Sequence, residues 1–174
     1  ALVLMASAAV AEDTQMDLNP DWEFVADTVM GGVSTGRIEA AQIDGRRATR
    51  LTGTVSLDNN GGFVQMAFDL ADGAEFDASG YDGLALTLRG NGERYEVRLR
   101  TSALTRPWQS FRAAITAPAD WTILRLPFDA FEAHRTDAAF DPATLRRIGV
   151  LAIGRVFDAD IAVASVTLYR DTGN

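Results

Sequence analysis

The chain has no cysteine and a single histidine, and its 16 cationic side chains are outnumbered by 24 acids. Each shortage removes a class of function. Without cysteine there is no disulfide framework, no thiolate nucleophile, no iron–sulfur ligation by Cys and no Cys-based zinc site. With His134 as the only histidine, a zinc site holding two or more His or Cys ligands is also excluded. A Ser-His-Asp arrangement would have to use His134, yet it stands in the loop-like Ala133-His134-Arg135 segment and no Gly-x-Ser-x-Gly elbow exists. His134 therefore reads as a surface histidine, and no catalytic residue, metal or cofactor is expected. The net charge of −8 argues against sequence-independent binding to nucleic acid or anionic membranes, which needs cations in excess to displace counterions. Carboxylates alone can bind calcium or serve a glycosidase, but spacing selects no pair among 24.

Long hydrophobic runs are missing too. The one apolar segment at the start, ALVLMASAAVA over residues 1–11, is too short to span a bilayer, and no other segment does so. Its small residues and its Ala9-Val10-Ala11 ending before Glu12-Asp13 fit the last part of a secretory signal peptide with an A-x-A cleavage site. Export, to the periplasm, is the expectation, and residues 1–11 are set apart from the fold.

What remains, residues 12–174, is enough for one domain: 47% of the chain is hydrophobic and there are three Trp. Its rhythm is all-β. Arg37 to Ile43 and Arg46 to Leu57 flank Asp44-Gly45, suited to a two-residue hairpin turn. Phe63 to Leu70, Leu84 to Leu88, Tyr95 to Thr101, Trp108 to Thr116, Trp121 to Leu126 and Ile161 to Tyr169 alternate or cluster apolar residues between turn residues. Ile148 to Ile153 is apolar almost without break, as in a strand covered on both faces. Asp141-Pro142 before Ala143 to Arg147 predicts a helical turn or two. Roughly nine or ten short strands suit a two-sheet antiparallel jelly-roll sandwich, with at most one or two short helices. The core expected from the alternation is Phe63, Phe68, Leu86, Leu88, Val97, Leu99, Phe111, Leu124, Leu126, Phe128, Phe131, Val150, Ile153, Val166 and Leu168.

Two glycine-paired segments stand out, Asp27-Thr28-Val29-Met30-Gly31-Gly32-Val33-Ser34 and Asn59-Asn60-Gly61-Gly62-Phe63. Gly31, Gly32, Gly61 and Gly62 read first as backbone requirements of tight turns, and Asp27, Ser34 and Asn60 as turn caps through side-chain-to-backbone hydrogen bonds. Met30 is the odd member, because a flexible apolar side chain in a Gly-rich turn has reason to be there if it packs or meets a partner. All eight are candidates for a binding loop. Gly90-Asn91-Gly92-Glu93-Arg94-Tyr95 begins like a dinucleotide loop, but the third glycine is missing and a strand pattern follows, so a hairpin is expected. On that strand Tyr95, Val97 and Leu99 face one way and Glu96, Arg98 and Arg100 the other. If it pairs with the next strand, Arg98, Arg100, Arg112 and Trp108 share an outer surface. That surface is either a binding patch or a solvated face with Glu–Arg cross-strand pairs.

Taken in order, the motifs resemble the complex I intermediate-associated protein 30 family, a galactose-binding-like β-sandwich related in shape to carbohydrate-binding modules. Trp22 with Asp27 to Ser34 looks like the family's opening motif and Asn60-Gly61-Gly62-Phe63 its second. Arg89-Gly90-Asn91-Gly92 with Tyr95 is similar to its R-G-D-G-x-Y turn, with Asn91 in place of Asp and Glu93 extra. Trp121, Leu126-Pro127-Phe128 and Phe131 resemble its W…LPF-x-x-F segment, and Ile148-Gly149 its late I-G strand. His134-Arg135-Thr136 stands where the family tends to have Arg-Gly. Arg89 and Tyr95 join the binding candidates on this resemblance. It implies a non-enzymatic protein-binding module, an assembly or maturation factor for a membrane complex of the respiratory complex I type, with membrane-complex subunits as partners. The alternative is a periplasmic carbohydrate-binding domain with Trp108 as its aromatic platform and Trp22 and Trp121 in the core.

Overall fold

The computed structural model describes residues 15–171, apart from the side chains of Met30 and Asn60, so the expected leader at residues 1–11 lies outside the described residues. The first half of the chain forms β1 (Gln15–Asp17), β2 (Glu23–Ala26), β3 (Thr35–Ile43), β4 (Arg46–Val55), β5 (Phe63–Asp69) and β6 (Gly83–Gly90). The second half adds β7 (Arg94–Thr101), β8 (Ser110–Thr116), β9 (Thr122–Pro127), β10 (Glu132–His134), β11 (Leu145–Ile153) and β12 (Phe157–Tyr169). The strands form two antiparallel sheets. The first runs β3-β4-β12-β6-β9 with β1 also on β12, and the second runs β10-β8-β7-β11-β5-β2. This is the all-β, two-sheet sandwich expected, and its helical content among the described residues is limited to single 3-10 turns.

The β3–β4 hairpin closes through Asp44 and Gly45, both at positive φ (47° and 79°), the twist-matched conformation for a two-residue loop. Arg89 on β6 reaches across to this turn and pairs with Asp44. The inner faces meet in one core. From the second sheet come Val64, Met66 and Phe68 of β5, Tyr95, Val97 and Leu99 of β7, Phe111 of β8, and Ile148 and Val150 of β11. From the first come Leu51, Leu84, Leu86, Leu88, Ile161, Val166 and Leu168. Each fully buried Leu, Ile, Phe or Met side chain contributes about 1.5–3 kcal/mol to folding. Trp22 meets Phe68 edge to face at 4.9 Å, and Trp121 donates its indole N–H to the Ile43 carbonyl at 3.0 Å.

Three local expectations are corrected. Phe63 and Ile153, expected in the core, pair in register at the end of the β5–β11 ladder and turn outward. The helical turns expected through Arg147 stop at Pro142–Thr144, capped by the Asp141 side chain, which accepts from the Ala143 N–H at 3.0 Å. From Leu145 the chain is strand, and its Arg147 bonds Glu23 at 2.9 Å and Asp69 at 2.8 Å across the sheet. The strand expected from Trp108 begins at Ser110, because the preceding residues fold into a loop held by Arg100 and Gln109.

Candidate functional site

The two glycine-paired segments are fastened to each other through one carboxylate. Asp27 is fully buried and has no cationic partner among the described residues. It accepts from the Ser34 N–H at 3.0 Å, the Ser34 hydroxyl at 2.5 Å, the Gly62 N–H at 2.5 Å and the Phe63 N–H at 3.2 Å. Burial pushes this carboxyl up, and the bonds from Ser34, Gly62 and Phe63 together outweigh that effect and hold it below the ordinary carboxylate range. Gly31, at φ 89°, ends the 3-10 turn Asp27–Met30. Ser34 in turn accepts from the Ser56 N–H at 2.9 Å. The capping chemistry expected of Asp27 and Ser34 is thus present, but it ties loops 35 residues apart rather than closing one local turn.

Beside this junction a groove of about 690 Å³ crosses the outer face of the second sheet. Its floor comes from the outward positions of four strands: Phe63, Gln65 and Ala67 of β5, Arg147, Gly149, Leu151 and Ile153 of β11, Arg98 and Arg100 of β7, and Ser110 of β8. Gly149 keeps the floor low, since a Cβ there would stand 2.9 Å from the Gln65 side-chain oxygen. Val25 and Val29 close one end, and Pro107, Trp108, Gln109, His134 and Arg135 the other. The Phe63 N–H belongs to the Asp27 junction while its ring lines the groove, so the glycine loops set the apolar end. At the opposite end Gln109 shapes the wall: its Oε1 accepts from the Thr105 and Arg106 N–H groups at 3.1 and 3.0 Å, and its Nε2 donates to the Arg135 carbonyl at 3.2 Å. Trp108 on this loop is 53% exposed.

The polar end carries unbalanced positive charge. Arg98 and Arg112 face each other across β7 and β8 and share one acid, Glu96, at 2.7 and 3.6 Å. Arg100 donates through Nη1 to the carbonyls of Arg106, Pro107 and Gln109 and forms no ion pair among the described residues. Burial, followed by the charges of Arg146 and Arg147, lowers its pKa. His134 pairs in register with Ser110. Burial lowers the imidazole pKa, as do Arg112, Arg98 and Arg135, against a smaller opposite pull from Glu96. The Ser110 hydroxyl, on a residue 3% exposed, has no hydrogen-bond partner among the described residues.

Of the residues singled out in the sequence, the structure brings Arg98, Arg100 and Trp108 together at the groove, with Arg112 on the same face just beyond it. Asp27, Gly31, Gly32, Ser34, Gly61 and Gly62 gather at the loop junction. The side chains of Met30 and Asn60 lie outside the described residues. Arg89 and Tyr95 are elsewhere. The Tyr95 ring is in the core, where its hydroxyl donates to Asn91 Oδ1 at 2.7 Å and accepts from the Asp160 N–H at 2.8 Å, and burial pushes its pKa up to about 12. Sequence reasoning missed Gln65, Leu151, Gln109, Ser110 and His134 as groove residues. The odd-numbered positions of β5 and β11 carried the signal for the first two. A second depression, of about 480 Å³, lies over Ala40, Ala41 and Ala48 on the first sheet, with Arg47 the one charged residue lining it among the described residues. Among the described residues no three metal-ligating side chains converge, and no helix is long and apolar enough to cross a membrane.

The two-sheet sandwich is shared with solved structures of low sequence identity. A family 11 carbohydrate-binding module from the cellulosomal cellulase Lic26A-Cel5E of Clostridium thermocellum shares this fold with a TM-score of 0.73 and 12% identity, over 92% of this chain and 96% of that one. A family 30 carbohydrate-binding module of the same organism's cellulase Cel9D-Cel44B gives 0.64 and 14%, over 91% and 99%. The agarase AgWH50C gives 0.62 and 11%, over 92% of this chain and 25% of that one. No curated protein matches the sequence. The sequence profile of the complex I intermediate-associated protein 30 family matches residues 12–162, and the chain belongs to that family.

Proposed function

We propose that this protein is a non-enzymatic binding module that holds an extended segment of a protein partner in the groove of the second sheet, in the assembly or maturation of a membrane complex of the respiratory type. The observation that carries this reading is the groove's two-part lining. Val25, Val29, Phe63, Leu151 and Ile153 offer an apolar half, and Arg98, Arg100, Gln109, Ser110 and His134 a polar half. A volume of about 690 Å³ suits a few side chains of a bound segment. The family supports an assembly role. The chemistry supports a non-enzymatic one, since Ser110 and His134 are neighbours without a hydrogen bond and no carboxylate bonds His134 among the described residues. A photo-crosslinker in place of Gln65 on the groove floor, compared with one at Glu39 on the first sheet, tests it in intact membranes. A reproducible membrane-protein adduct from position 65 alone is expected, and equal or absent adducts at both overturn the reading.

Trp108 favours a second reading, a carbohydrate ligand, because an exposed indole beside polar groups is a surface on which a sugar ring stacks. Saturable quenching of tryptophan fluorescence by a neutral oligosaccharide, lost on Trp108→Ala, would select it. We also propose that the protein works outside the cytoplasm. A fusion of residues 1–30 to a reporter active only after export should report, and a silent reporter removes that placement.

A further inference from the structure

We infer that the Ser110–His134 end of the groove receives a carboxylate, an Asp or Glu side chain of the bound protein segment, while apolar side chains of the same segment lie over Leu151 and Phe63. The inference rests on the protein-binding reading above and adds the partner's chemistry. Three features carry it. The Ser110 hydroxyl is buried at the groove floor, with no hydrogen-bond partner among the described residues. A buried polar group without a partner costs stability, so one that faces a groove marks where a ligand atom completes it.

Arg100 is the second feature. All its recorded acceptors are neutral carbonyls on Nη1, so Nε and Nη2 have no acceptor among the described residues. The guanidinium is partly buried and beside other cations, where an anion is worth more than in water. Charge balance is the third. Arg98 and Arg112 share the single acid Glu96, and Arg135 at the rim is exposed and forms no ion pair among the described residues. This local surplus of positive charge sits on a chain whose net charge is −8 and which has no lysine, so every cation it offers is a planar guanidinium that matches a carboxylate.

The apolar end fixes the kind of molecule. An acidic sugar would meet Val25, Val29, Phe63 and Ile153 with hydroxyls, whereas an extended peptide places an apolar side chain there and an acidic one a few residues away.

Panning a random dodecapeptide display library against the full chain tests this, with synthetic peptides then compared as their Asp and Asn forms. Recovered sequences should be enriched in Asp or Glu at one position with apolar residues two to four places away. Changing the Asp to Asn should weaken binding roughly tenfold. Ser110→Ala should weaken the Asp peptide while leaving the melting temperature unchanged or raised, because the hydroxyl contributes no bond to the fold. Arg135→Gln, an exposed change, should weaken it too. Peptides recovered without an acidic preference overturn the carboxylate site and leave the peptide groove standing. Failure to recover any peptide, with a galacturonate oligomer bound instead, overturns the protein-segment proposal itself and the reading beneath it.

Discussion

Gly32 and Gly61 face each other across the Asp27 carboxylate. A Cβ on Gly32 would stand 2.5 Å from Asp27 Cγ, and one on Gly61 would stand 2.5 Å from Asp27 Oδ2 and 3.0 Å from the Gly32 Cα. Two segments nearly thirty residues apart are therefore glycine for the same reason: backbone must reach a short side chain that four donors already hold in place. Neither side chain nor loop has room to yield, so Gly61→Ala should destabilise by about 1–3 kcal/mol, the usual cost of overpacking. Urea denaturation of the purified domain measures it. Gly45→Ala serves as the contrast, since nothing lies within 4 Å of its Cβ and the cost there is only that of positive φ.

Asp27 should also set the acid limit of the fold. Its carboxyl is held below the ordinary value of 3.8 in the folded protein, so its stabilisation is complete above that value and is lost as pH falls through the lower, folded value. Asp27→Asn keeps the shape but puts an N–H₂ group among donors, leaving buried hydrogens unpaired, and should cost about 2–4 kcal/mol at pH 7. Stability measured between pH 7 and 3 should fall less steeply for the variant than for the wild type. Parallel profiles would remove Asp27 from the acid transition.

Asn91 stands where the family motif has Asp, and the structure gives the amide a use that a carboxylate lacks. Its Oδ1 accepts from the buried Tyr95 hydroxyl while its Nδ2 donates to the Asp158 carbonyl at 2.9 Å. Asn91→Asp retains the first bond and loses the second, and it adds charge near Glu93 and Asp160, which already act on Tyr95. The variant should be about 1–3 kcal/mol less stable at pH 7 and recover part of that loss as pH falls and the acid regains a proton to donate. Thermal melts at pH 7 and 5 check the sign.

The fold was legible wherever one strand's alternation was enough. Tyr95, Val97 and Leu99 point inward and Glu96, Arg98 and Arg100 outward, as the period of two requires. The same rule, applied strictly to β5, separates Phe63 from Phe68, because five residues apart they lie on opposite faces. Placing both in the core breaks that alternation. On β11 the unbroken run is buried on both faces from Ile148 to Ala152, as expected of a covered strand, and only Ile153 is half-exposed; the run does not reveal that its outward side chains, Leu151 and Ile153, line a groove. The rest of the site was hidden because it depends on pairing across the chain. Ser110 meets His134 only through β10, a strand of three residues with no pattern of its own. The Asp27 junction likewise depends on a contact 35 residues long, which no local motif encodes.

His134 offers the most direct reading of what enters the groove. Its own segment contributes Glu132 and Arg135, β8 contributes Arg112, and β7 contributes Arg98 and Glu96; burial and the three arginines keep its pKa below 6.5 in the free protein. The unfolded chain thus binds the proton more readily, so stability is full above about pH 6.5 and declines as pH falls below it. A carboxylate bound at Ser110 would offset the arginines and raise that pKa. Binding an acidic peptide should then take up a fraction of a proton as the imidazole pKa rises, and affinity should increase as pH falls through the range where His134 titrates. Calorimetry in two buffers of different ionisation enthalpy detects the uptake, and His134→Gln should abolish it while leaving the peptide bound. An Asn peptide should take up none. If the Asp peptide binds with no proton uptake in the wild type, its carboxylate lies away from the imidazole, and Arg100 rather than His134 marks its position.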